Sequence, residues 1–148
     1  MKKTKHSDYF NKVKADHQSE LVEDYVEEIA TLFKHNGEVR STDLAQRFGV
    51  SAAAVSKMIR RLNEQGLVTS MPYRGIFLTG AGQALAEKVA YRHRIVFEML
   101  LKLGVPESIA HADTEGIEHH CSEETVKAMC HFLEQPYLPE SDKQQSDE

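Results

Sequence analysis

The sequence predicts a mainly α-helical fold that contains a winged helix-turn-helix domain. Apolar residues recur at helical spacing along most of the chain, whereas strand-like runs stand out only at residues 67–71 and 75–79. Helices precede and follow these two runs, and helix, turn, helix and β-hairpin is the order of a winged helix-turn-helix. A length of 148 residues suits one moderate domain or two small ones that share a core.

The helix-turn-helix begins with a helix over residues 20–35, which an Asn-Gly pair closes. Ser41 or Thr42 can cap a short second helix that ends at Phe48, and Gly49 supplies the tight turn after it. Each helix has one apolar face that must pack against other elements. On the first helix this face consists of Leu21, Tyr25, Ile29, Leu32 and Phe33.

The third helix is predicted to begin after Ser51, which can cap it, and to end at Gly66. The runs LVTSM and GIFLT follow, joined by Pro-Tyr-Arg-Gly, and they predict a small β-hairpin, the wing. In the third helix the spacing i, i+3, i+4, i+7 turns four apolar residues inward: Val55, Met58, Ile59 and Leu62.

The rest of the chain predicts three further helices. A long helix runs from Thr79 to Gly104, with one face too apolar to be exposed to water. Pro106 suits the first turn of the next helix. Ser122 can cap a last helix, which Pro136 stops.

The two ends of the chain are predicted to contribute little to the fold. The tail, residues 136–148, has almost no apolar residues and is predicted to be disordered. Much of residues 1–12 is predicted to be disordered too, although Tyr9, Phe10 and Val13 could form a short helix. The start lacks an apolar signal core and no apolar run has the length of a membrane span, so a cytoplasmic location without a membrane partner is expected.

The net charge of −5 conceals an asymmetry along the chain. Residues 37–82 carry six Lys and Arg against three acidic residues, whereas residues 105–148 carry two Lys against eleven acidic residues. A basic segment inside an acidic protein indicates a local contact with a polyanion, and a different role for the acidic end.

The basic segment includes the third helix, whose outward face is predicted to bind DNA. Small residues near its start let the helix enter the major groove, where Ser and Lys reach base edges or phosphates. The alternative is an ordinary set of solubilising charges. Recognition helices usually act in pairs, so a homodimer on a palindromic double-stranded operator is expected. The predicted DNA-binding residues are Ser51, Ala53, Ser56, Lys57 and Arg60 on the helix, and Arg74 at the tip of the wing.

A second polar feature is the segment TEGIEHH, residues 114–120. In a helix, Glu115, Glu118 and His119 stand at i, i+3 and i+4 and share one face. Such a pattern is typical of a solvated acidic surface, and it is also half of a metal site if other ligands lie elsewhere in the chain.

Other metal-capable residues occur at two places. Asp24 and Glu27 lie at i and i+3 on the first helix, on a different side from its apolar residues Tyr25, Ile29 and Leu32. His93 lies on the long helix, where a single histidine is more often a hydrogen-bonded structural residue than a ligand. With the TEGIEHH segment they supply four carboxylates and two imidazoles from three helices, and no cysteine.

Five strings, EDYVEEI, VSKMIRRL, YRGIFLT, YRHRIV and EGIEHH, occur here in the order found in the manganese-responsive regulators of the diphtheria-toxin-repressor (iron-dependent repressor) family. Over roughly residues 20–134 the chain resembles that family. The resemblance implies a metal-activated dimeric repressor of metal-uptake genes. Residues 20–80 would form its winged helix-turn-helix DNA-binding domain and residues 81–135 its helical dimerisation and metal-binding domain. A variable basic extension, residues 1–19, and a disordered acidic tail, residues 136–148, would flank them.

The resemblance also implies a ligand set and a metal. The iron-responsive branch of the family carries methionine where Asp24 stands and cysteine where Glu115 stands. Oxygen ligands at both positions suit a hard cation, so Mn²⁺ is the implied effector. The sequence leaves open whether one or two ions bind per subunit and whether Fe²⁺ is a second effector. The implied ligands are Asp24, Glu27, His93, Glu115, Glu118 and His119.

Two other classes of function compete with this interpretation. A di-metal carboxylate enzyme also uses Glu and His on helices, but it needs Glu-x-x-His pairs on two helices, and Glu115 is followed at i+3 by Glu118. A winged-helix regulator that senses no metal would leave the six ligand positions without a role. The sequence therefore favours a metal-activated repressor over an enzyme.

Overall fold

A computed structural model of the protein describes residues 5–71 and 74–137, with the side chains of residues 7–12, 18–71 and 74–137. The chain forms two compact units, an N-terminal unit that ends at Glu87 and a C-terminal unit that begins at Lys88. The described elements are α1 (Lys5–Asn36), α2 (Ser41–Phe48), α3 (Ala52–Glu64), β1 (Val68–Met71), β2 (Gly75–Leu78), α4 (Gly80–Lys102), α5 (Glu107–Ile117), a 3₁₀ turn (Glu118–His120) and α6 (Glu123–Phe132). The mainly α-helical fold with a winged helix-turn-helix is confirmed.

Helix α1 is longer than the sequence predicts. Its 32 residues include residues 5–12, for which disorder was the expectation, so that expectation is wrong there. No glycine or proline interrupts residues 5–36, so the helix can extend toward the N-terminus from the part that is packed. Tyr9 and Phe10, in this extension, are 61% and 63% exposed.

The caps of the helix-turn-helix differ in part from the prediction. Helix α2 begins after Arg40, whose backbone N–H donates to the Asp43 carboxylate at 2.9 Å, so neither Ser41 nor Thr42 is its cap. The Ser51 hydroxyl does cap α3, as predicted, and accepts from the backbone N–H of Ala54 at 3.1 Å.

An apolar core fills the N-terminal unit. Buried residues of α1, α2, α3 and the wing contribute to it, so the short helices of the helix-turn-helix are fixed by packing rather than by their own propensity. The four predicted inward residues of α3 are all buried. The largest fully buried side chains of this core include Ile29, Leu44, Leu62, Val26, Val39, Val55 and Val68.

The wing is an antiparallel pair in which Val68 lies opposite Leu78 and Met71 opposite Gly75. It is tied to the loop before α2, because the backbone N–H of Ile76 donates to the Val39 carbonyl at 2.9 Å. The positive φ of Gly75, 87°, and the nearby Val39 carbonyl oxygen both disfavour a side chain there.

The C-terminal unit has a smaller core, centred on Ile95, Val126 and Cys130. Helix α6 begins after Ser122, whose hydroxyl accepts from the backbone N–H of Thr125 at 3.3 Å, as predicted. It ends at Phe132, earlier than the predicted stop at Pro136.

The segment after α6 is partly ordered, contrary to the predicted disorder from residue 136 onward. The Tyr91 hydroxyl donates to the Pro136 carbonyl, and Tyr137 packs against the smaller core. Residues 138–148 of the predicted tail lie outside the described residues. Within residues 5–71 and 74–137, no helix combines the length and the apolar character needed to cross a membrane.

Candidate metal centre and nucleic-acid interface

The outward face of α3 carries the residues that the sequence predicts for DNA binding. Ser51, Ala53, Ser56, Lys57 and Arg60 are all exposed. The inward residues fix the helix on the core, so these side chains are presented on a rigid surface. Arg74 is exposed as well, and its backbone N–H donates to the Met71 carbonyl at 3.1 Å, beside residues 72 and 73, which lie outside the described residues.

A groove of about 890 Å³ runs along this face between the start of α2, α3 and the wing. Asn63 lines it one turn beyond Arg60, and its side-chain amide donates to the Ser70 hydroxyl at 3.2 Å. The sequence analysis did not select Asn63, although it continues the exposed row of Ser56 and Arg60 at i+7 and i+3. Other polar lining residues outside the predicted set are Arg40, Ser41, Thr42, Glu64 and Ser70.

The C-terminal unit holds a buried carboxylate between two histidines. Glu118 is fully buried. Its Oε2 lies 3.3 Å from Nδ1 of His93, and its Oε1 lies 3.3 Å from Nε2 of His119. His119 is 7% exposed, so two imidazoles and a carboxylate share one small region of the interior.

Glu115 completes this cluster from the more exposed side. Its Oε1 lies 3.5 Å from Nδ1 of His93, and its side chain is 60% exposed. One ligand atom from each of His93, Glu115 and Glu118 lies within 4.8 Å of the other two. We call His93, Glu115, Glu118 and His119 the acid–histidine cluster.

The donor set of the acid–histidine cluster fits a divalent cation. A buried carboxylate is costly unless positive charge or hydrogen bonds compensate for it, and a cation held between these groups would supply that charge. The donors are oxygen and imidazole nitrogen without sulfur, a combination that suits Mn²⁺, Fe²⁺ or Zn²⁺ better than soft metals. Binding through Nδ1 of His93 requires the neutral imidazole with its proton on Nε2.

The end of α5 explains how these side chains converge. The helix ends at Ile117, and Glu118–His120 form a 3₁₀ turn rather than the continuous helix that the spacing predicts. The Thr114 hydroxyl is buried and donates to the Ala110 carbonyl at 2.6 Å, which fixes the last turn of the helix. The tighter turn places Glu118 and His119 inside while Glu115 and His120 stay exposed.

Other titratable residues near the cluster have structural surroundings. Burial raises the pKa of the Cys121 thiol, and Glu118 raises it further while Arg92 lowers it, so the thiol stays protonated at neutral pH. His111 stacks on Phe97, with ring centroids 4.2 Å apart, and is more than half exposed. Neither residue belongs to the predicted ligand set.

The two remaining predicted ligands, Asp24 and Glu27, lie on α1 in the N-terminal unit. Both are half-buried, and they stand three residues apart on one side of the helix. The backbone there is fixed, because Tyr25 and Val26 are buried in the core and the Thr31 hydroxyl donates to the Glu27 carbonyl at 3.0 Å. At helical spacing both lie away from the buried side chains of Tyr25 and Val26.

Together, the winged helix with its exposed basic face and the buried acid–histidine cluster define a metal-responsive DNA-binding regulator. Comparison with known families supports this class. Residues 17–76 match the N-terminal DNA binding domain of the iron dependent repressors, and residues 79–144 match their metal binding and dimerisation domain. The transcriptional regulator MntR of Escherichia coli O6:H1 is 46% identical over 129 residues, which cover 87% of this chain and 83% of that protein.

Further relatives agree with this result. The transcriptional regulator MntR of Salmonella typhimurium is 45% identical over 130 residues, which cover 88% of this chain and 83% of that protein. Among solved structures, a manganese-dependent transcriptional repressor in complex with manganese is 32% identical over 78% of this chain, with a TM-score of 0.69. The manganese regulator SloR is 30% identical over 78% of this chain, with a TM-score of 0.67. The chain spans about half the length of these two, 53% and 54% respectively.

The chain therefore belongs to the iron-dependent repressor family, and it is a metal-responsive transcriptional repressor rather than an enzyme. The resemblance inferred from the five sequence strings is confirmed. So is the prediction that the chain combines a DNA-binding domain with a domain for metal binding and dimerisation.

Proposed function

We propose that the protein is a Mn²⁺-activated homodimeric repressor, which binds a palindromic operator of metal-uptake genes in the cytoplasm when its metal site is loaded. The observation that carries the proposal is the buried Glu118 carboxylate between His93 and His119. A buried carboxylate flanked by two imidazoles offers the oxygen and nitrogen donors that a divalent cation binds.

Six residues form the proposed metal site. His93, Glu115, Glu118 and His119 come from the C-terminal unit, where the acid–histidine cluster supports their assignment. Asp24 and Glu27 are proposed as further ligands, because the ligand set of the family falls on these two positions. Four carboxylates and two imidazoles would supply enough donors for two ions per subunit, and we propose this stoichiometry over a single ion.

Manganese is the proposed effector for two reasons. The donor set contains no sulfur, and oxygen ligands dominate it, which suits a hard cation with six or more ligands. The relatives include a repressor whose structure contains manganese. Fe²⁺ is similar in size and ligand preference, so we propose it as a weaker second effector.

The chain's own charges account for the switch. The carboxylates of Asp24, Glu27, Glu115 and Glu118 repel one another when they are brought together, which disfavours that arrangement without a cation. A bound divalent cation turns this repulsion into attraction. If the loaded geometry is the one that fits DNA, metal raises DNA affinity, and DNA raises metal affinity by the same factor.

Two exposed surfaces support the proposed homodimer and the proposed palindromic operator. Leu103, Ile109 and Phe132 of the C-terminal unit are large apolar residues that are at least half exposed, which supports a partner subunit on this unit. Two copies of α3, related by a two-fold axis, would read two half-sites of a palindrome. Ser51, Ala53, Ser56, Lys57, Arg60 and Arg74 are the proposed DNA contacts.

The test is fluorescence anisotropy of a labelled operator, selected from random double-stranded DNA in the presence of Mn²⁺. Purified full-length protein is titrated at one fixed salt concentration with chelator, Mn²⁺, Fe²⁺, Zn²⁺ or Mg²⁺, because DNA affinity depends on salt. We expect tight binding with Mn²⁺, weaker activation by Fe²⁺ and none by Mg²⁺.

A matched pair of variants assigns the response to the site. Glu115→Gln should remove most of the Mn²⁺ response, whereas Glu107→Gln, also an exposed glutamate of α5, should keep it. Equal DNA affinity with chelator and with Mn²⁺ in the unmodified protein would contradict the proposal. It would instead support a winged-helix regulator that senses no metal.

A further inference from the structure

Two side-chain contacts join α1 to the end of α2 inside the N-terminal unit. Nε of Arg47 donates to Oε1 of Glu28 at 2.6 Å, a short charge-assisted hydrogen bond between residues 19 apart in sequence. The Glu28 side chain is 19% exposed and the Arg47 side chain 57% exposed, so solvent reaches the pair mainly from the Arg47 side.

The second contact lies one residue further along α2 and three residues earlier on α1. The rings of Tyr25 and Phe48 stack with centroids 4.5 Å apart and an interplanar angle of 18°. Tyr25 is buried, so its ring is fixed by the core. Consecutive residues at the end of α2, Arg47 and Phe48, thus hold two residues of α1 that lie one turn apart.

These contacts are next to the proposed metal ligands of α1. Asp24 precedes Tyr25, and Glu27 precedes Glu28. At about 100° per residue, Glu28 projects only about 40° from Asp24 around the helix. A displacement of the α1 backbone at the ligands therefore reaches the end of α2 through contacts less than one turn away.

The end of α2 is in turn fixed to the recognition helix. Gly49 takes a left-handed conformation with φ 63°, and the backbone N–H of Val50 donates to the Ala45 carbonyl at 3.1 Å. Ser51 then caps α3. The turn between the helices is short and hydrogen-bonded, so α2 and α3 should move together.

We propose that Glu28 and Arg47 are positioning residues, which transmit metal binding at Asp24 and Glu27 through α2 to the DNA-reading face of α3. This inference rests on the proposed function, since it requires Asp24 and Glu27 to bind the metal. The Tyr25–Phe48 stack supplies the packing beneath the ion pair, and the ion pair fixes the angle of α2 on α1.

The test compares full-length wild type with Arg47→Gln, Glu28→Gln and the double variant. For each, DNA affinity is measured with chelator and with saturating Mn²⁺, and the ratio of the two affinities is the readout. We expect each single variant to lower the ratio at least about fivefold, with the affinity in chelator unchanged within about twofold. The double variant should lose no more than either single variant, because both remove one interaction.

Two controls separate positioning from other effects. Glu38→Gln is the matched control, because it breaks an exposed ion pair with Arg40, 3.6 Å between Oε1 and Nε, that does not involve α1. This variant should leave the ratio of the two DNA affinities unchanged. Mn²⁺ affinity without DNA separates positioning from a through-space charge effect. Such an effect alone would weaken Mn²⁺ binding in Glu28→Gln and strengthen it in Arg47→Gln. If the pair acts by positioning α2, both variants instead lower the ratio of DNA affinity with Mn²⁺ to DNA affinity with chelator.

An unchanged ratio in both single variants would overturn the inference. So would an equal loss of DNA affinity in chelator and in Mn²⁺, because that pattern means the pair only stabilises the folded unit. Failure of the proposed function looks different: wild type itself would then show the same DNA affinity with and without Mn²⁺.

Discussion

Two groups of acidic and histidine residues in the C-terminal unit are made of the same residue types and differ in burial. Glu107 and His111 lie on α5 at i and i+4, 3.8 Å apart, with side chains 77% and 58% exposed. Glu118 and His119 follow the same helix, 3.3 Å apart, with side chains that are almost completely buried. Spacing alone therefore does not distinguish a surface pair from a proposed metal site.

The difference lies in what each group requires from its surroundings. Water solvates Glu107 and His111, so they need no partner. Glu118 is shielded from water, and a second carboxylate, that of Glu115, approaches the same Nδ1 atom of His93. A bound cation would compensate the charge of the buried carboxylate, whereas the exposed pair is already solvated by water.

The largest expected effect is that of Glu118→Gln, which keeps the shape of the side chain and removes its charge. Changing groups that only support metal ligands costs about 10- to 100-fold in affinity, so losing this ligand should weaken Mn²⁺ binding about 100-fold or more. Isothermal titration with Mn²⁺ measures the change, and circular dichroism verifies the fold. Near-normal Mn²⁺ affinity in a folded variant would remove Glu118 from the site.

The free energy of unfolding should also distinguish the buried Glu118 from the exposed Glu107. Mn²⁺ at about 100 times its dissociation constant should raise the free energy of unfolding by about 2.7 kcal/mol, because it binds the folded protein alone. Thermal unfolding of wild type should shift upward accordingly, and the Glu107→Gln protein should shift by the same amount. Glu118→Gln, with Mn²⁺ binding about 100-fold weaker, should be stabilised by only about 0.4 kcal/mol or less at that Mn²⁺ concentration. A full shift there would place the stabilising ion elsewhere.

Exposed charged residues can also have a function, and we expect α3 to provide an example. Arg60→Ala should weaken operator binding by about 1 kcal/mol, which is about fivefold, and reduce the salt slope by about 1. Mn²⁺ affinity and stability should stay at wild-type values, because Arg60 is exposed and distant in sequence from every proposed ligand. An unchanged salt slope would exclude a phosphate contact.

The smallest effect is expected for the exposed pair itself. The double variant Glu107→Gln, His111→Ala should keep Mn²⁺ and operator affinities within about twofold of wild type, since exposed pairs contribute about 0–1 kcal/mol. Titrations of both ligands provide the measurement. A loss comparable to that of Glu118→Gln would mean that burial is the wrong criterion for the site.

The sequence predicted the DNA-binding half better than the metal centre. The inward residues of α3, its serine cap and the wing were predictable because helical period, capping chemistry and strand alternation are local signals. The cap of α2 was not, because the helix begins after Arg40, whose backbone N–H donates to the Asp43 carboxylate, and no Ser41 or Thr42 hydroxyl caps the first turn.

The candidate metal centre depends on contacts that no local pattern reveals. The pattern placed Glu115, Glu118 and His119 on one helical face. In the structure the chain changes to a 3₁₀ turn at Glu118, so that Glu118 and His119 are buried while Glu115 is exposed. His93 is 22 residues before Glu115, and only the fold brings its imidazole within 3.5 Å of that carboxylate. The order of residues 5–12 was missed for a similar reason, since few apolar residues mark that part of α1.

The most direct test of the central claim is thermodynamic reciprocity between metal and DNA. Mn²⁺ affinity is measured by titration with and without saturating operator, and operator affinity with and without saturating Mn²⁺, all at one salt concentration. The account predicts that both ratios exceed about fivefold and are equal. Mn²⁺ affinity that is the same with and without operator would contradict it.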